Sequence, residues 1–302
     1  MSNEEKEIEN LRIDTNKKIK KYNRISFIIC GLSIVVIIIM ALLINLYLLF
    51  LLYGVFMMII ISSIITIGKT SKSVNKFTDL YKEKIVSNVF KKIFDDVEYI
   101  PGKGIEEKIL EDTQLIYTGD RYYSNDYIKG KYKNINFEFS DVHISEKHED
   151  SDGDTTYTTI FSGQWMIFDF NKSFKSKLSI ATKYFGIVNH VRNVELEDID
   201  FNKNFSVWAE HEEDAFYLLT PNYMEKIKRL KDDIKSNFSL CFVNNKLYIG
   251  LDNSKDLFEP NMKINIDIKK EEEKIKDEIK IMTKFIDDLK LDNNLFKNWK
   301  NN

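Results

Sequence analysis

The chain is 302 residues long, 43% hydrophobic and 13% aromatic, enough to bury a sizeable core in one large or two ordinary domains. Its net charge of −3 and pI of about 5.9 supply no global basic field, and no stripe of interleaved basic and aromatic residues is present, which argues against nucleic acid as a partner. The two cysteines, Cys30 and Cys241, lie too far apart for a disulfide framework or a zinc knuckle and suit a reducing compartment.

Residues 1–24 carry seven basic side chains, Lys6, Arg12, Lys17, Lys18, Lys20, Lys21 and Arg24, against five acids. They read as a basic cytoplasmic leader. Each base beside a membrane attracts anionic lipid by about 1 kcal/mol, a topogenic role that requires no specialised lipid ligand. From Ile25 to Gly68 there follow 44 consecutive residues without a charge. One helix of that length would run about 66 Å against a hydrocarbon core of roughly 30 Å, so two spans, 25–45 and 48–68, are expected, turning near Asn45 and Tyr47. Basic residues flank both outer ends, with Lys69, Lys72 and Lys76 after the second span, and the connector has none. The expected topology is therefore two-pass, in a bacterial inner membrane, with both termini cytoplasmic. The run is far longer than a signal-peptide core, and no small-x-small cleavage site follows it. Neither span holds Asp, Glu, Lys, Arg, His or a G-x-x-x-G, so an anchor is expected rather than a pore, with no sign of a close helix seam.

Residues 69–302 read as a cytoplasmic α+β domain, an antiparallel meander sheet packed by helices. Phe77, Tyr81, Ile85, Val89 and Ile93 step by four and predict an amphipathic helix over 74–97. Pro101, Gly102 and Gly104 break it, and a short helix is expected at 105–113. Strand signals then dominate from Tyr122 to Ala181. Lys133-Asn134 is a two-residue hairpin turn, and the slip in alternation at Ser140-Asp141 suggests a β-bulge. The next strand is apolar on both faces, with Phe161, Trp165 and Ile167 on one and Ile160, Met166, Phe168 and Phe170 on the other, as a central strand would be. Turns are expected at "NKSF" and at Asn244-Asn245. Thr220-Pro221 caps a helix whose stripe is Met224, Ile227, Leu230 and Ile234, and Ile275, Ile279, Met282, Ile286 and Leu289 mark a last helix packed on the sheet.

The acid-rich "SVWAEHEEDAFYLLTP", Ser206 to Pro221, invites a catalytic reading. His211 has Asp214 at i+3 and Ala215 at i+4, which is no metal-ligand set. A strand end, a short helix with Glu210, Glu212, Glu213 and Asp214 in its first turn, and a buried side of Ala215, Phe216, Leu218 and Leu219 account for the stretch. Asp150, Asp152 and Asp154 occupy the first three spacings of a calcium loop, but Thr155 and Phe161 stand where glycine and glutamate are required, so a solvated hairpin tip is expected. Of the other histidines, His143 should face out of its strand, and neither it nor His148 or His190 has a partner at metal spacing. Nucleotide, hydrolase and metalloprotease motifs are absent. No catalytic, cofactor-binding or metal-ligating residue is assigned, and no cofactor is expected.

"FSGQWMIFDFNKSF", "VELEDIDFNKNFSVWAEHEEDAFYLLTPNYMEKI" and "LYIGLDNSKDLFEP", in this order after an apolar hairpin, resemble the bacterial membrane proteins grouped as domain of unknown function 3137 (DUF3137). The resemblance spans roughly Tyr127 to Trp299 and implies an architecture without an activity. Two functional classes follow. The first is a membrane-anchored cytoplasmic binding or scaffold module, held in the bilayer by residues 25–68 and engaging a protein partner. The alternative is a membrane-tethered hydrolase or transferase with an unrecognised site.

Overall fold

A computed structural model describes residues 3–41, 46–183, 185 and 193–291. Their contacts gather into two units, one made of Met1–Val86 with Glu259–Glu272, the other of Ser87–Phe258 with Glu273–Asn302. The expected turn residue Asn45, the side chain of Tyr47, and His190 lie outside what is described.

The first unit is built on two long helices, α1 (Asn3–Ala41) and α2 (Leu46–Tyr81). Lys84 pairs with Glu7 at 2.8 Å, and the Lys69 ammonium stands 6.0 Å from the Tyr22 ring centroid. One helix number rises by fifteen as the other falls by fifteen, which is the register of an antiparallel pair. On α1 the less exposed positions include Ile8, Arg12, Thr15, Ile19, Tyr22, Ser26, Ile29, Ser33 and Val36, in alternating steps of four and three, with Glu9, Leu11 and Asn16 beside them. That spacing is the seam of two helices wound together. On α2 the matching positions include Ser62, Ser63, Thr66, Thr70 and Ser73 before Phe77 and Tyr81. Small hydroxyl residues thus line the seam, a feature that the absence of G-x-x-x-G had concealed. They share it with Ile19, Ile29 and Val36, while many large apolar side chains face outward: Phe27 is 84% exposed, Leu32 62%, Met58 73% and Ile67 68%.

Among the described residues one helical run, Tyr53–Ile93, is long and apolar enough to cross a membrane, and none of its apolar window is buried.

The leader does more than carry charge. Arg12 is buried and holds Glu9 through two hydrogen bonds of 2.9 and 2.7 Å, then reaches Asn265 Oδ1 at 2.7 Å. Asn16 donates to the Met262 carbonyl at 2.8 Å, and Glu9 accepts from the Ile266 amide at 3.2 Å. Arg12 beside it keeps Glu9 below the usual carboxylate range. Tyr81 donates to Glu271 at 2.6 Å, and buried Lys82 pairs with Glu259. The 259–272 segment is therefore clamped by polar bonds that no hydrophobic periodicity could announce. After Tyr81 comes a π-helical turn, Lys82–Val86. Apolar steps of four overshoot the helical turn by about 40° each, and one wide turn takes up that drift.

The second unit opens with α3 (Ser87–Ile93), so the helical run stops short of Val97, which lies in β1 (Asp95–Ile100). Asp96, at φ 48°, marks the change of direction. The elements that follow are α4 (Glu107–Thr113), β2 (Arg121–Tyr132), β3 (Ile135–Glu149), β4 (Thr155–Thr182), α5 (Ile199–Asn204), β5 (Phe205–Ala209), α6 (Glu212–Leu218), α7 (Pro221–Ile234), β6 (Asn237–Asp252) and α8 (Ile268–Leu289), of which α8 enters this unit from Glu273. The sheet has six strands in the order β1-β2-β3-β4-β5, with β6 pairing β4, and every pairing is antiparallel. Lys133 and Asn134 both have positive φ, 48° and 64°, between paired Tyr132 and Ile135, as a two-residue hairpin requires.

Both of the other expected turns fall within continuous strand ranges. "NKSF" lies inside β4, which runs unbroken for 28 residues, and Asn244-Asn245 lies inside β6. Between Asp169 and Leu178 the pairing among the described residues narrows to Phe174 with Asn244, across two register shifts, and Asn244, at φ 56°, is where β6 changes direction. A side chain on Gly250 would begin 3.1 Å from the Ser239 hydroxyl, although residues eleven apart on a straight strand are separated by about 36 Å. The β4–β6 ribbon is doubled over on itself. Asparagine tolerates both a turn and a bulge at positive φ, and sequence alone does not separate them.

Trp165, Phe161, Ile167, Val142, Ile144, Ala181 and Cys241 fill the core on one face of the sheet. Phe137, Phe139, Met166 and Phe168 are buried on the other, so β4 is covered on both faces as expected. Ile160 is a correction: a bulge between the Ile144 and Ser145 pairings sets it beside the Phe161 cluster rather than opposite. Thr220 caps α7 by accepting from the Tyr223 amide, and Ile275, Ile279, Met282, Phe285, Ile286 and Leu289 are the buried side of α8.

Candidate functional site

The bulge expected at Ser140-Asp141 exists, but on the partner strand. Asn125 pairs with Asp141 and Ile128 with Phe139, so β2 fits two residues, Asp126 and Tyr127, opposite Ser140. Asp126 takes φ 56° and is fully buried. Its carboxylate accepts from the Tyr99 hydroxyl and, at 2.8 Å, from the Asn125 amide. A carboxylate oxygen of Asp256 lies within 4.8 Å of one on Asp126.

Asp141, across the bulge, is 4% exposed. It accepts from Gln164 Nε2 and from the Leu257 amide, both at 2.8 Å. Gln164 also donates to the Lys255 carbonyl at 2.9 Å and accepts from the Asn253 amide at 2.6 Å. Burial pushes the Asp141 carboxyl up to about 8 against the pull of those two donors, and the charges of Asp126 and Asp256 push the same way. Strongly perturbed acids concentrate at functional sites. The bonding of this one, however, is turned to the backbone: Asp141 and Gln164 fasten 253–257 onto β3 and β4.

The network ends at a cleft of about 650 Å³ that Asn253 lines with Lys231, Lys235, Asn237, Asp252 and Ser254. It opens where the two ends of the doubled β6 approach each other. Lys231 is taken by Asn204 Oδ1 at 2.8 Å, and Asp252, raised by burial, accepts from the Ser162 amide at 3.3 Å. Cys241 is inert for another reason: burial pushes its thiol up to about 12.

The stretch from Ser206 to Pro221 forms the elements expected of it. Ser206, Val207 and Trp208 lie in β5, exposed His211 is the N-cap position of α6, and Glu212, Glu213 and Asp214 fill its first turn. Ser176 donates to Asp214. Ala215, Leu218 and Leu219 are buried, but Phe216 is half exposed, because it sits about 100° around the helix from Ala215. His143 faces out, and His148 sits 3.8 Å from Glu146 on the outer part of the β3–β4 hairpin. Asp150 Oδ1 accepts from the Asp152 and Asp154 amides at 3.0 and 2.9 Å, closing the tip with its own backbone.

Residues 159–291 match the family described as protein of unknown function, DUF3137. No match is found among curated proteins or among solved structures. The DUF3137 match is shorter than the resemblance expected from Tyr127 to Trp299. It holds the doubled ribbon, Gln164, Asn253 and Asp256, while Asp126 and Asp141 lie before it. The acid cluster is thus assembled from both sides of the DUF3137 boundary. Sequence reasoning missed it, although the slip at Ser140-Asp141 was the visible trace of the bulge that builds it.

Proposed function

We propose that this protein is a two-pass inner-membrane anchor whose cytoplasmic residues 69–302 serve as a binding or scaffold module for a protein partner. The observation that carries the reading is the inverted packing of α1 and α2: hydroxyl residues inside the seam, Phe27, Leu32, Met58 and Ile67 outside. In water that arrangement would expose much large apolar surface while hydroxyls occupy the seam. In a bilayer, helices associate through small residues and offer large apolar ones to lipid. Ser33 and Thr66 donate to the carbonyls of Ile29 and Ser62 at 2.6 and 2.8 Å, as hydroxyls without water must. The basic flanks support a cytoplasmic position for both termini. A binding role is supported by the bonding of Asp141, each of whose oxygens accepts from an amide of its own fold.

The reading is tested against a tethered hydrolase or transferase by Asp141→Asn. A binding module keeps its cellular phenotype and its crosslinked partners in this variant. A folded Asp141→Asn protein that retained its partners but lost the phenotype would instead make Asp141 a catalytic acid.

A further inference from the structure

Where the uncharged run ends, α1 and α2 leave between them a cleft of about 330 Å³, lined by Asn23, Thr66, Ile67, Thr70, Ser71, Val74 and Asn75. Arg24 and Lys69 are the first charges beyond the run, so the cleft straddles the headgroup level of the bilayer in the membrane reading above, on which this inference rests. From Thr15 to Thr78 the chain carries eight basic residues and no acid. Thr66 and Ser73 each donate to a carbonyl one turn back, at 2.8 and 3.2 Å. Thr70, between them, does not: its Oγ1 is buried and finds no partner among the described residues. A buried hydroxyl left unbonded is expensive, so an acceptor from outside the chain is called for.

We infer that this cleft holds the phosphate of an anionic glycerophospholipid headgroup. Thr70 and Ser71 offer hydroxyl donors, Asn23 and Asn75 offer amide donors, and the lining contains no anionic group to repel a phosphate. Lys20, Arg24, Lys69, Lys72 and Lys76 lie within one helical turn of these residues and supply the field. Free phosphate offers the same oxygens. The lipid is the source because Ile67, the last apolar residue of the run, gives the cleft an apolar wall on that side, where acyl chains would begin.

The test uses the full chain, purified in neutral detergent, with bound lipid counted by native mass spectrometry. One phosphatidylglycerol should be retained in preference to phosphatidylcholine, and millimolar inorganic phosphate should not displace it. Thr70→Val should weaken retention about tenfold, the loss expected for one hydrogen bond to a charged group. Asn75→Leu, at an exposed position, should weaken it in the same direction should Thr70→Val fail to fold. Equal retention of the two lipids, wild-type retention in both variants, or displacement by phosphate would overturn the inference. A chain that stays in alkaline-washed membranes yet shows no headgroup preference loses the lipid site alone; one released by that wash loses the anchor reading first.

Discussion

Replacing Trp165 by alanine is expected to lower the unfolding free energy by about 3–5 kcal/mol, the range for deleting a large aromatic from a packed core. Trp165 is fully buried where the β4–β6 ribbon doubles over. Its ring edge is where a side chain on Gly250 would collide, at 2.9 Å, and Phe161 meets it edge-on with centroids 6.3 Å apart. Both halves of the ribbon and Phe185 press on the same ring. The lost volume therefore cannot be filled by moving one neighbour. Denaturant unfolding of the full chain in detergent measures the effect, and unchanged midpoints would mean that the ribbon is not doubled around this residue.

The second large effect is a dependence on pH. Asp141 holds its proton up to about 8 in the folded chain, against an ordinary value of 3.8. Below about pH 4 both states are protonated and the group contributes nothing. As pH rises from there towards 8 the unfolded chain ionises while the folded one does not, so stability falls, by at most about 1.4 kcal/mol per pH unit. Above 8 the loss levels off. Asp141→Asn removes the titrating group, but the asparagine NH2 must face one of the two donors, Gln164 Nε2 or the Leu257 amide, so one buried hydrogen bond is lost at every pH. The variant should be less stable than the wild type near pH 4.5, and the gap should narrow as the pH rises towards 8.5. Parallel stability curves for the two proteins across that range would show that Asp141 is ionised in the folded chain.

The elements with strict periodicity were legible in the sequence. The i, i+4 stripe before Ile93, the Lys133-Asn134 turn, the two apolar faces of β4, the Thr220-Pro221 start of α7 and the buried side of α8 all follow from spacing and cap chemistry. What escaped was long-range or polar. Strand β1 is short and begins with two exposed aspartates, so no alternation announces it. The doubling of β4 and β6 depends on bulges whose residues also suit turns. The clamp by Arg12 and the Asp126–Asp141 cluster join residues more than a hundred positions from their partners, through hydrogen bonds that leave no period. The hydroxyl seam of α1 and α2 was readable in principle, since its steps of four and three are a helical period, but serine and threonine were not counted as seam residues.

Cysteine labelling in intact cells tests the two-pass anchor most directly. Wild type supplies the baseline, because Cys30 sits in α1 within the uncharged run and Cys241 is buried. Leu46→Cys, at the start of α2, should react with a membrane-impermeant maleimide added from outside, and Lys76→Cys should react only after the cells are opened. Labelling of Lys76→Cys in intact cells, or protection of Leu46→Cys until lysis, would contradict a hairpin that crosses the membrane twice.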